Sequence, residues 1–176
     1  MKGLIPLFLL AAAASGRARP GTPTDREILF GIYVDTIRNR DTHGGTVAAR
    51  RWFLPENPDD GFGVLHPRPL HWGVEGRAGF LVDPEPRGEG AILLNLGYDL
   101  PLLRRLGLEF FAGCGASYSG VRYSRTTYWN IVTRAGAALR FDDFLLQGAY
   151  EHRSNAGLGP YNRGVDLITA AVGVRF

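Results

Sequence analysis

The chain has 176 residues, room for one domain, and its 11% aromatics and 24 glycines describe strands and turns rather than helices. The formal charge is +3, Lys2 is the only lysine, and no dense Lys/Arg run with interleaved aromatics occurs. That argues against nucleic acid and fits a surface facing phosphorylated lipid. A single cysteine, Cys114, excludes an intramolecular disulfide and a Cys-based zinc site; within "FAGCGAS" it reads as a small packed residue.

The N-terminus, "MKGLIPLFLLAAAASGRARP", has a positive start at Lys2, an apolar run from Leu4 to Ala14 and a small-residue region. It predicts a secretory signal peptide over residues 1–18, cut after Ala14 or Ala18, and a mature domain over 19–176. No later stretch reaches the ~20 apolar residues of a transmembrane helix, so a membrane-integral form of this chain must be a β-barrel.

From Glu27 onward apolar residues recur with period two. In "EILFGIYVDT" Ile28, Phe30, Ile32 and Val34 share one face, with Tyr33 and Asp35 on the other. "TVAARRWFL" alternates poorly, and residues 55–69 after it make a long connection, so the second strand is the least defined. "HWGVEGRAGFLV" sets Trp72, Val74 and Phe80 against Glu75 and Arg77. "AILLNLGYDL" sets Ile92, Leu94 and Leu96 against Asn95 and Asp99. "LGLEFFAGCGASY", "YWNIVTRAGAALRF", "FLLQGAYEHRS" and "VDLITAAVGVRF" follow the same rule. Short turns such as "FDD" are expected on one side and longer loops such as "DPEPRGEG" and "GVRYSRTT" on the other.

Alternation of this kind fits a soluble sandwich or a barrel in lipid. The strands run to roughly 10–14 residues, the length of a tilted membrane strand, where soluble strands average roughly 5–6. Their polar faces carry Gly, Asn and charge pairs suited to a narrow filled lumen. The sequence also stops on an aromatic residue at a strand end. The expectation is an all-β, eight-stranded antiparallel outer-membrane barrel.

The stretch "AYEHRSNAGLGPYNRGVDL", residues 149–167, carries the chemistry. His152 and Ser154 share parity with Phe144, Leu146 and Tyr150, the set that must face lipid, where a charge costs ~2–4 kcal/mol near the midplane. Asp166 shares parity with Ile168, Val172 and Phe176. Three residues able to form a hydrolytic triad therefore converge on the outer face. With both termini periplasmic, the loop between them is extracellular, at a depth where polar groups cost little. Ordinary turn residues at an interfacial hairpin end are the bland alternative. Glu151 and Arg153 face inward, where a lumen salt-bridge network is expected. His43, His66 and His71 are scattered and read as loop or interface residues; no metal-ligand spacing is visible and no cofactor is implied.

"HRSNAGLGPYNRG" followed by Val165 and Asp166 resembles the His-x-Ser-Asn-Ala-Gly-Leu and Asn-x-Gly signature of the PagL-type outer-membrane lipid A 3-O-deacylases. The match covers the last ~25 residues closely; upstream the likeness is one of architecture. The resemblance implies Ser154 as nucleophile, His152 as general base and Asp166 as the acid that orients the imidazole. Asp166 stands where the family usually has Glu, about 1.5 Å shorter in reach. It also implies an oxyanion hole in the loop, with Asn155, Gly157 and Asn162 as candidates. Lipid A or lipopolysaccharide in the outer leaflet would be the substrate, and a homodimer is compatible with the pattern. Arg122 and Arg125 are weak candidates for lipid A phosphates, with solvated surface arginines as the alternative. A non-catalytic small barrel, and an acyltransferase or phospholipase using the same triad, stay open.

Overall fold

In the computed structural model the described residues are 26–35, 43–53, 70–82, 86–120, 128–155, 157 and 164–176. The expected signal peptide over 1–18, the connection 55–69 with His66, and Asn162, Arg122 and Arg125 lie outside them. Eight strands are described: β1 (Arg26–Asp35), β2 (His43–Phe53), β3 (His71–Val82), β4 (Pro86–Pro101), β5 (Leu106–Ser119), β6 (Trp129–Phe141), β7 (Phe144–Ser154) and β8 (Val165–Arg175). Each pairs antiparallel with the next, and β8 returns to β1 through Glu27↔Arg175 to Asp35↔Leu167, closing the barrel. Closure leaves no sheet edge with unpaired backbone groups, which a hydrocarbon environment requires.

Burial alternates along the strands as the sequence predicts, and also over the second half of β2, where the sequence did not display it. Outward positions include Ile32, Val47, Trp72, Phe80, Ile92 and Leu94, all exposed. Inward positions hold a charged network beside two apolar clusters, one of Tyr33, Leu81, Val165 and Leu167 and one of Trp52, Phe111 and Ala149. Arg50 reaches Glu75 at 2.7 Å, Glu27 at 3.1 Å and Gln147 at 2.7 Å. Arg134 grips both oxygens of Glu75, and Arg77 reaches Glu151 at 2.7 Å. Buried charges are tolerated only when paired and hydrogen-bonded, and here arginine and carboxylate interleave across the lumen. The inward Glu75/Arg77 pair is joined at 3.2 Å, as expected from the sequence.

Three expectations are corrected. Residues 86–90 of the supposed loop "DPEPRGEG" belong to β4, with Pro86 at a strand's first position, where its missing N–H breaks no ladder. Cys114 is exposed on the outer surface rather than packed. His71 is buried inside the barrel rather than in a loop or interface; its ring meets Trp52 edge-on at 4.5 Å. β2 is a full strand. Its pattern was obscure because Arg50 and Trp52 point inward while Arg51 points out, so polar residues occupy both faces.

The β6–β7 connection is the two-residue turn Asp142–Asp143, fixed by the Phe141↔Phe144 pair. Asp142 has φ 50°, a conformation that Asp tolerates and that suits a tight hairpin. Aromatic residues ring both ends: Phe53 stacks on Trp72 at 4.1 Å at the end carrying this turn, and Tyr118 meets Trp129 at 5.4 Å at the other. Such girdles mark the two membrane–water interfaces of a barrel.

Candidate active site

The site lies at the end of the barrel opposite the Asp142–Asp143 turn, where β7 leaves and β8 returns. Strand periodicity turns Glu151 and Arg153 inward and His152 and Ser154 outward. Register sets Asp166 of β8 directly across from His152. Opposite residues of an antiparallel pair hold their β-carbons roughly 4.5–5.5 Å apart, so even the short Asp side chain reaches. His152 Nδ1 lies 2.7 Å from Asp166 Oδ1, with the His152 side chain 42% exposed and that of Asp166 13%.

A carboxylate in this place accepts a hydrogen bond from Nδ1–H, the tautomer in which Nε2 keeps the lone pair that a general base needs. Ser154 sits two residues along the same face, roughly 6.6 Å of strand away. Among the described residues its hydroxyl makes no hydrogen bond to the imidazole, so the structure joins His152 to Asp166 and leaves Ser154 beside them. Nucleophile–base hydrogen bonds are often loose without substrate and tighten when it binds.

Two residues to which the sequence assigned no role in the site complete the surroundings. Tyr150, 46% exposed and two residues before His152 on the same face, donates a hydrogen bond from its hydroxyl to Asp166 Oδ1. Gly164, just before β8, lies against the imidazole: a β-carbon there would meet His152 Cε1 at 2.5 Å and Nε2 at 3.0 Å. Parity already grouped Tyr150 with His152, and Gly164 is the glycine of the Asn-x-Gly run, so both signals were present.

Of the oxyanion candidates, Asn155 is 1% exposed and its Oδ1 accepts the Gly157 N–H at 3.1 Å. That closes an Asx-type turn with Gly157 at φ 78°, a left-handed conformation natural to glycine. The Gly157 N–H is therefore committed to Asn155 in this conformation. Behind the site, Arg153 bonds Glu151 at 2.6 Å through Nε and Glu89 through Nη1. The expected lumen network thus anchors the strand segment that carries His152 and Ser154.

An apolar groove also crosses the outer surface, lined by Phe30, Ile32, Gly45, Phe80 and Ala170 among others. Inside the barrel, His71, Asp99 and Glu109 bring one potential ligand atom each within 4.8 Å of one another. Asp99 is already met by Arg140 at 2.9 Å and Glu109 by Arg175 at 2.7 Å, so a cation would enter a set already matched in charge.

The family model for lipid A 3-O-deacylase (PagL) matches residues 88–175, half of the chain, from early β4 to the end of β8. Among solved structures, the outer membrane enzyme PagL is similar at 15% identity with a TM-score of 0.65, over 85% of this chain and 99% of that one. A barrel from the de novo design of transmembrane β-barrels is similar at 12% identity with a TM-score of 0.52, over 88% and 98%. At these identities the two structures bear on fold alone. None of the curated proteins compared with the chain matches it.

Proposed function

The chain belongs to the lipid A 3-O-deacylase (PagL) family and is an integral outer-membrane β-barrel, and from that premise we propose that it is a serine esterase releasing the 3-O-linked 3-hydroxyacyl chain of lipid A. Ser154 acts as nucleophile, His152 as general base and Asp166 as the acid that orients the imidazole. The observation that carries this reading is the 2.7 Å contact between His152 Nδ1 and Asp166 Oδ1, made on the outer surface of the barrel and not in its lumen. A soluble ester would gain nothing from such a position; an ester within the outer leaflet meets it laterally.

Serine is a weak nucleophile until a hydrogen-bonded base takes its proton. His152 Nε2 accepts the Ser154 proton as Oγ attacks the ester carbonyl. Asp166 then faces the imidazolium. The bond between the carbonyl carbon and the sugar's 3-oxygen breaks, the imidazolium protonates that oxygen to the free 3-hydroxyl, and an acyl-serine remains. Water, deprotonated by the same imidazole, attacks the acyl-serine and frees the fatty acid, with the proton returning to Ser154. The Asn155 amide and a loop N–H are proposed to stabilise the tetrahedral oxyanion, at ~3–4 kcal/mol for one good donor. Because Gly157 N–H is held by Asn155, using it would require the turn to open.

The β7–β8 end is proposed to be the extracellular one, where the outer leaflet supplies both lipid A and water. The apolar groove has the chemistry of an acyl chain rather than a sugar. Residues 1–18 are proposed to be the signal peptide that directs export.

The test is acyl release from purified lipopolysaccharide, followed by mass spectrometry of lipid A and of added phospholipid. The wild type is expected to remove one 3-hydroxyacyl chain, while Ser154→Ala and His152→Ala barrels remove none. Acyl loss from phospholipid alone would make the protein a phospholipase. Equal release by all three proteins would remove the triad from the account.

A further inference from the structure

We propose that Tyr150 is a positioning residue of this site, its hydroxyl holding the Asp166 carboxylate against the His152 imidazole. The inference rests on the deacylase reading above and adds a member that the His-Ser-acid triad does not contain.

Register makes the contact possible. Tyr150 pairs with Ile168, while His152 pairs with Asp166, so Tyr150 stands diagonally across from Asp166 on one outward face. Diagonal neighbours in an antiparallel sheet are roughly 7–8 Å apart, a gap that an aromatic side chain spans and a small one does not. The tyrosine hydroxyl and the imidazole Nδ1 converge on the same oxygen, Asp166 Oδ1.

The chemistry gives the contact a use. An aspartate can swing about its two side-chain torsions, and a large swing breaks the link to Nδ1. A second donor on the same oxygen ties it down from the strand that also carries His152. At the edge of a hydrocarbon layer an ionised carboxylate is poorly hydrated, so each donor facing it matters more than it would in water. Hydrogen bonds to an ionised acceptor are about twice as strong as neutral ones. The ionised form is the one that must face the imidazolium when His152 takes the serine proton. A tyrosine acting only as interfacial belt would send its hydroxyl towards headgroups and water; this one is turned sideways to the carboxylate.

Tyr150→Phe keeps the ring and removes only the hydroxyl, so the belt role survives and the proposed role does not. The experiment compares kcat and KM for lipopolysaccharide in the wild type, Tyr150→Phe, Asp166→Asn and the double variant. All are folded in detergent micelles and checked by heat-modifiable gel mobility. A second measurement follows solvent exchange of the His152 Nδ1 proton by NMR, with the signal identified by its absence from His152→Gln.

The expected result is a kcat lower by roughly ten-fold in Tyr150→Phe with KM within about two-fold, and Nδ1 proton exchange several-fold faster. In the Asp166→Asn background the same change is expected to have no further effect, because the hydroxyl then has no carboxylate to hold. Wild-type kcat in Tyr150→Phe would overturn the proposal, and so would an equal loss in both backgrounds. If the wild type released no acyl chain, the deacylase reading would fall. The proton signal would then decide by itself: unchanged exchange in Tyr150→Phe overturns the holding role, and faster exchange upholds it.

Discussion

Gly164 and the His152 imidazole are in direct contact: a β-carbon on Gly164 would sit 2.5 Å from His152 Cε1 and 2.9 Å from the Arg153 carbonyl oxygen. The ring could swing aside from such an atom, but the carbonyl belongs to the strand and could not. Gly164→Ala is therefore expected to push the imidazole off Asp166 while the barrel still closes. A displacement of about 1 Å at a catalytic group costs on the order of 100-fold in rate. Acyl-release assays on a variant with normal folded gel mobility would check this; wild-type rates would mean that the ring has room to relax.

Arg153 points the opposite way from its neighbours His152 and Ser154, into the lumen, where it holds Glu151 and Glu89. Replacing it with Met leaves buried carboxylates short of their cation. Removing one partner of a buried pair costs about 3–5 kcal/mol. Urea unfolding in detergent should register a loss of that size, and activity should fall with it. An unchanged unfolding midpoint would show that Arg77, the other cation on Glu151, suffices alone.

The interior predicts electrical silence. Arg50, Glu75 and Arg134 meet across the lumen, joined at hydrogen-bonding distance. Planar-bilayer recordings of the purified protein should detect no steady ionic conductance. Regular single-channel steps would contradict a filled lumen.

Leu94, exposed on the outer face of β4 and paired with Val74 and Cys114, belongs to the apolar band. Leu94→Arg is expected to destabilise the barrel by about 2–4 kcal/mol in lipid bilayers, the cost of a cation near the hydrocarbon midplane. Unfolding titrations from liposomes would measure it. No change would place Leu94 outside the hydrocarbon layer.

Much of this was legible in the sequence because a strand has only two faces. "FLLQGAYEHRS" alternates cleanly, so the outward direction of His152 and Ser154, and the inward direction of Glu151 and Arg153, followed from parity alone. Parity fixes a face but not a neighbour. That Asp166 stands opposite His152, and not two residues up or down, depends on a register that the residues do not display. β2 was obscure because Arg50 and Trp52 fill the lumen while Arg51 sits outside, so polarity did not separate its faces. His71 was misread although it shares the odd parity of Glu75 and Arg77: as the first residue of β3 it was grouped with loop and interface histidines instead of with its strand. Tyr150 was grouped with the lipid-facing set by parity; that its hydroxyl turns towards Asp166 depends on the same register.

The central claim is that an imidazole on the outer wall of the barrel, held by Asp166, activates Ser154. Peptide mapping after treatment with a lipophilic fluorophosphonate tests it most directly. The account predicts a single adduct, on Ser154, formed rapidly in the wild type and slowed at least a hundred-fold, as an order-of-magnitude figure, in His152→Ala. An adduct on another residue, or labelling of Ser154 at the same rate without His152, would contradict it.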